Sequence, residues 1–263
     1  MKKIFKGIRK KEIAFTLAET LITLGIIGIV AALTIPTLIT EHAKQRTVTQ
    51  LKQAYSDISQ ALKLAEAEYG SPEGWLENPS DTFGAASSDF IENYLEPNIK
   101  MALKCPTDNS PCWAIGKYTT LAGENAQNAN ATAAQYQSFV TLSGYAVLFW
   151  VGGGTTYSNY TRHYQFIVDV NGKKGPNVIG KDAFQFTYIQ NPNGGWFLMP
   201  AGYYGEDYSF KNGGGVIQRY TRNELLSDSR YGCSKNIQGQ GGSLLCTSLI
   251  FEDGWKIAKD YPW

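Results

Sequence analysis

The longest run of apolar positions lies near the start of the chain. From Ala14 to Thr40 the sequence reads AFTLAETLITLGIIGIVAALTIPTLIT, in which Glu19 is the single ionisable residue. The 21 residues from Thr20 to Thr40 carry no charge. As a helix rising about 1.5 Å per residue they cover roughly 30 Å, the thickness of a bilayer's hydrocarbon core. A cleaved secretory signal has an apolar region of about 7–15 residues, too short to match. Beyond this run Val48, Leu51, Ala54, Tyr55, Ile58, Ala61, Leu62, Ala65 and Tyr69 recur at spacings of three and four, with Lys, Gln, Ser, Asp and Glu between them. That is the pattern of an amphipathic helix. No Gly or Pro interrupts residues 37–69, and Gly70-Ser71-Pro72 is a stop signal. Together the segments predict one helix from Phe15 to Tyr69, its second half packed through its apolar stripe.

Residues 71–135 hold Pro72, Pro79, Pro97, Pro106 and Pro111 and a polar stretch from Glu124 to Ala134, and read as loop with a short helical piece near Asp89 to Tyr94. Strand patterns follow at Phe139–Leu142, Tyr145–Val151, His163–Val170, Phe184–Ile189 and Trp196–Met199, separated by Gly, Asn and Pro turns. Phe184, Phe186 and Tyr188 alternate with Gln185 and Thr187, which predicts one buried and one wet face. An antiparallel meander against the amphipathic helix is the expected arrangement, an α+β fold. Residues 200–263 are Gly-rich around Gly213–Gly215 and Gly239–Gly242 and predict a helix from Thr221 to Ser227.

Charge then orients the chain. Lys2, Lys3, Lys6, Arg9, Lys10 and Lys11 precede the apolar run, so the positive-inside rule keeps residues 1–14 cytoplasmic and sends everything after Thr40 outside. The formal net charge of +1 belongs largely to that leader: without residues 1–14, 18 basic side chains face 22 acidic ones. A mature chain of about −4 offers no general basic surface for nucleic acid. Aromatic residues make up 13%, with 16 Tyr and 27 Gly, a profile nearer to exported β domains than to cytosolic enzymes.

Glu19 is what a plain membrane anchor does not explain, since a carboxylate in a membrane helix costs on the order of 2–3 kcal/mol. The residues Ala14-Phe15-Thr16-Leu17-Ala18-Glu19 resemble the class III signal of type IV prepilins and type II secretion pseudopilins. The resemblance implies that prepilin peptidase cuts between Ala14 and Phe15, that Phe15 becomes the N-methylated N-terminus, and that Glu19 is the fifth mature residue. Gly28 midway along the span and Pro36, at a position where family members often carry a helix-bending proline, agree with it. Ala14 stands where the family usually has Gly. The implied organisation is a leader (1–14, removed), an inner-membrane assembly helix (15–40), its amphipathic continuation (41–70) and an extracytoplasmic pilin-like domain (71–263).

An ionised Glu19 needs a cation that its own helix does not supply between positions 14 and 40. The resemblance suggests the amine of Phe15 on a neighbouring subunit, which cleavage would create. The implied function is a structural filament subunit of a type IV pilus or a type II secretion pseudopilus, not an enzyme. Its partners would be itself and other pilins, the peptidase and the inner-membrane assembly platform. The alternatives are a minor pilin acting in adhesion or DNA uptake, or a membrane-tethered extracytoplasmic binding protein.

Four cysteines occur in two close pairs, Cys105 with Cys112 and Cys233 with Cys246. In an oxidising compartment they read as disulfides, and short loop closure favours pairing within each pair. No Cys-x-x-Cys spacing points to zinc. Asp169, Asn171 and Asp182 group oxygen ligands with turn residues, as calcium loops do. Lys173 and Gly180 stand where an EF-hand has acidic ligands, so a plain turn is the favoured reading and no cofactor is expected. His42 and His163 are the two histidines, and neither sits in a catalytic motif.

Overall fold

A computed structural model describes residues 16–75, 83–106, 108–130, 132–152, 163–190, 195–202, 220–239 and 241–263. The chain divides into two units, residues up to Lys44 and Gln45–Trp263. Helix α1 spans Leu17–Tyr69. In the first unit its large apolar side chains are exposed, from Leu17 to Ile39. Pro36 lies inside the helix without breaking it, at the cost of one backbone hydrogen bond.

In the second unit the periodicity of residues 45–69 acts as expected. Val48, Leu51, Ala54, Ile58, Ala61, Leu62 and Ala65 are buried in the main core, Tyr55 is partly buried, and Tyr69 is 49% exposed. Tyr69, in the last turn, meets Tyr94 edge-on (5.3 Å between centroids). After a 3₁₀ turn at Pro72–Gly74 come α2 (Phe83–Phe90) and a π-helical turn Ile91–Leu95. The helix expected near Asp89–Tyr94 therefore begins earlier. Phe90 explains its position: buried, it stacks on Phe149 (4.8 Å) and Tyr164 (4.3 Å) of the sheet.

The sheet has six strands in sequence order, all antiparallel: β1 (Met101–Cys105), β2 (Gln137–Thr141), β3 (Ala146–Gly152), β4 (His163–Asp169), β5 (Ala183–Gln190) and β6 (Trp196–Pro200). The five expected strands are present within two residues at either end, and β1 is an addition. Phe166 stands opposite both Phe149 and Phe186 in register, so the α1 face of the central strands is a continuous aromatic layer.

The expectation that Gln185 and Thr187 face water is incorrect. Both are buried, at 2% and 0% exposure. The β1–β2 connection folds over the second face and packs Trp113, Tyr118, Ala126 and Ala129 against Leu148, Trp150, Ile167 and Ala183. Gln185 meets this environment by donating its side-chain amide to the Gln165 side chain and its backbone N–H to Thr247 Oγ1 (3.0 Å). The central strands β3–β5 are thus covered on both faces.

Two short helices close the chain. In α3 (Arg222–Ser227) Thr221 and Glu224 form a capping box. Arg222 Nε and a guanidinium nitrogen grip Asp253, and the same guanidinium reaches Asp260. α4 (Cys246–Glu252) was not expected from the sequence; Leu249 and Ile250 sink into the core. Disulfides join Cys105 to Cys112 and Cys233 to Cys246, the pairing that loop closure favours. Gly213–Gly215 lie outside the described residues.

Candidate functional site

The first unit carries the strongest candidate. Its helix has a mean hydropathy of 2.3 over its most apolar 18-residue window, with none of that window buried in the protein. By length and composition it suits a single membrane span or signal anchor. Its threonines do not oppose this. The hydroxyls of Thr20, Thr23, Thr34 and Thr40 donate to the carbonyls of Leu17, Thr20, Val30 and Pro36 at 2.8–3.0 Å, which hides them against their own helix.

Glu19 is the polar exception, and the structure ties it locally. The Thr16 N–H and hydroxyl both donate to Glu19 Oε2 at 2.8 Å, and the Glu19 N–H donates to Thr16 Oγ1 at 3.2 Å. This is a capping box, in which residue and backbone at the helix start satisfy each other's hydrogen bonds. Its sequence signal is the Thr-x-x-Glu spacing from Thr16 to Glu19 ahead of an apolar run. The expectation that Glu19 must look elsewhere for partners is incorrect for hydrogen bonds, since its own chain supplies donors at Thr16. Ala14 and Phe15, the expected processing site, lie outside those residues.

The second unit brings Asp169, Asn171 and Asp182 together in the turn from β4 to β5. Asp169 accepts the Tyr118 hydroxyl (2.7 Å) and the Asn171 N–H (3.1 Å). Asp182 accepts the N–H groups of Asn177 (2.8 Å) and Val178 (2.6 Å). Asn171 fits best with its amide NH₂ donating to the Lys174 and Gly172 carbonyls and to Asp169 Oδ1. The oxygens considered as calcium ligands thus hold the turn and anchor Tyr118, which stacks on Trp113 at 4.6 Å. Among the described residues no group of three or more His, Cys, Asp or Glu is placed to hold a metal ion. Gly180 closes the turn at φ +89°, and a Cβ there would lie 2.5 Å from Cys246 Sγ.

Burial pushes the Asp169 carboxyl up to about 8, aided by Asp182, against the pull of the Tyr118 hydrogen bond. Asp182 is raised too, again chiefly by burial. An unfolded Asp titrates near 3.9. The folded chain therefore keeps a proton that the unfolded chain releases as pH rises between these values. The resulting stability is full below about pH 4 and lost as pH rises through about 8. Thermal melts of the wild type should show Tm falling from about pH 5 to about pH 9, and Asp169→Asn, with no proton to lose, should flatten the fall. An unchanged slope in the variant would locate the dependence in other groups.

His42 is exposed just beyond the apolar segment. In the comparisons, the model of a family of unknown function (DUF6613) matches residues 37–263. No curated protein and no solved structure matches the chain.

Proposed function

We propose a structural role for this chain, which belongs to the DUF6613 family: a pilin-like subunit, held in the inner membrane by the start of α1 and polymerised through it into an extracytoplasmic filament. The observation that carries the reading is the exposed apolar segment from Leu17 to Ile39, interrupted only by a hydrogen-bonded carboxylate at Glu19. An anchor requires the apolar residues but gains nothing from the acid, which costs on the order of 2–3 kcal/mol where it lies in the membrane. A helix that meets other copies of itself gains a charge with which to fix register. The resemblance of Ala14 to Glu19 to prepilin signals supports the same reading. It assigns cleavage after Ala14 to prepilin peptidase, methylation to Phe15, and assembly to Phe15, Glu19 and Pro36 on an inner-membrane platform.

The second unit suits an extracytoplasmic location. Two disulfides persist where no reducing pool reaches them. The test is intact mass and N-terminal sequencing of protein recovered from membranes with and without prepilin peptidase. A chain beginning at methylated Phe15 only when the peptidase is present is the expected result. A chain retaining Met1, or one cut beyond Thr40, would reduce the protein to an ordinary anchored or secreted one.

A further inference from the structure

The two disulfides differ in what must move before a reductant can reach them. Cys233 and Cys246 are 0% and 1% exposed and belong to the main core. The Cys233 N–H donates to the Leu225 carbonyl at 2.7 Å, and Gly180 sits so near Cys246 that only a glycine leaves room for its sulfur. Opening this bond means parting α3, α4 and the β4–β5 turn.

Cys105 instead ends β1, an edge strand. β1 pairs with β2 alone within the sheet, and its register shifts between Met101 and Leu103. Ala102, Leu103 and Lys104 are exposed, and the Lys104–Glu96 pair at 2.5 Å joins two half-exposed side chains, an arrangement that stabilises little. The crevice that Cys105 lines with Ser88, Glu92 and Gln137 holds about 20 Å³. That is room for one water and too little for a thiol. The docked strand therefore closes the bond, and fraying of β1 uncovers it. Edge elements with few buried contacts open locally at a fraction of the cost of global unfolding.

We propose that Cys105–Cys112 is a thiol-exchange site, uncovered by undocking of β1 and reduced by a dithiol, while Cys233–Cys246 is a permanent bond. The thiolate of the dithiol attacks Cys105 Sγ, and Cys112 leaves as a thiolate and takes up a proton. The second thiol then displaces Cys105 from the mixed disulfide. Two electrons pass to the protein, which ends with two thiols while the reductant becomes a disulfide. Cys112 adjoins Trp113, which is packed in the layer over the second face, so the bond ties β1 to a fixed point. Its loss frees β1 and leaves the outer edge of β2, Gln137–Thr141, with unpaired backbone groups. The site is independent of whether the chain polymerises.

The experiment uses the full chain in detergent. Folded protein is treated with dithiothreitol and quenched at intervals with N-ethylmaleimide, and the alkylated cysteines are mapped by mass spectrometry. Cys105 and Cys112 should be labelled at least about a hundredfold faster than Cys233 and Cys246. Met101→Ala, which removes packing from the start of β1 without changing charge, should speed reduction of the first bond severalfold and leave the second unchanged. Hydrogen exchange of the selectively reduced protein should show β1 amides losing protection while β3–β5 keep theirs. Equal rates at the two bonds, or no reduction of either until urea unfolds the chain, would overturn the exchange site. An unchanged rate in Met101→Ala would overturn undocking of β1 as the route, and undiminished β1 protection after reduction would overturn release of the β2 edge.

Discussion

On the proposed filament reading, Glu19→Leu should abolish assembly, lowering the yield of sheared filaments by tenfold or more, while the Tm of the second unit stays unchanged. The two outcomes separate because Glu19 lies in the first unit and, among the described residues, its carboxylate hydrogen-bonds to Thr16. Removing the carboxylate makes the helix easier to insert, by on the order of 2–3 kcal/mol at most, so loss of filaments would not reflect weaker insertion. It also removes the cap, which for a helix start is worth about 0.5–2 kcal/mol. Glu19→Gln resolves the two contributions. Glutamine can accept the Thr16 N–H as glutamate does but carries no charge. If charge pairing with a neighbouring subunit drives assembly, Gln fails as Leu does. If Gln assembles like the wild type, Glu19 is a cap and the charge is incidental. Undiminished filaments from Leu would remove Glu19 from assembly altogether.

Phe166→Ala should do the reverse, costing stability throughout the second unit and leaving the membrane segment intact. Phe166 is fully buried in β4, 4.9 Å from the Phe149 ring and in register with Phe186. The layer around it is aromatic on three neighbouring strands, so there is little flexible aliphatic material to collapse into the space left behind. Burial of this kind costs about 3–5 kcal/mol on truncation to alanine. In a domain of this size each kcal/mol moves Tm by about 2–4 °C, so the melt should fall by roughly 6–20 °C. Circular dichroism of detergent-extracted protein measures it, and membrane fractionation should find the variant still anchored. A fall below about 2 °C would mean that the aromatic layer is loosely packed and that the Leu51 to Ala65 stripe carries the core.

The same contrast explains what was legible before any coordinates. Helix α1 was readable from end to end because its signals are local: an uncharged run, then a stripe at spacings of three and four, then Gly70-Ser71-Pro72. Five strands were readable because aromatic and β-branched residues alternate within each. β1, Met-Ala-Leu-Lys-Cys, has little strand propensity and becomes a strand by pairing with β2, more than thirty residues later. α4 contains Thr, Ile and Phe, which favour strands, and is held as a helix by Leu249 and Ile250 in the core and by the bond from Cys246 to Cys233.

Glu19 and Thr16 form a site within four residues, and a Thr-x-x-Glu spacing is sufficient to read it. The centre at Tyr118, Asp169 and Asp182 is different. Tyr118 lies 51 positions from the carboxylate it holds, and no periodicity within either segment announces the meeting. The two-sided burial of Gln185 and Thr187 was hidden for the same reason, since alternation within one strand reports the chemistry of its faces and not what later covers them. Sequence by itself determined the apolar N-terminal segment, the long helix, the order of the central strands and the pairing of nearby cysteines, because each depends on residues within a few turns of one another. Only the tertiary structure decided the second covered face, the edge strand β1, and the role of Asp169 and Asp182 as turn acceptors, because each is made by segments that chain folding brings together.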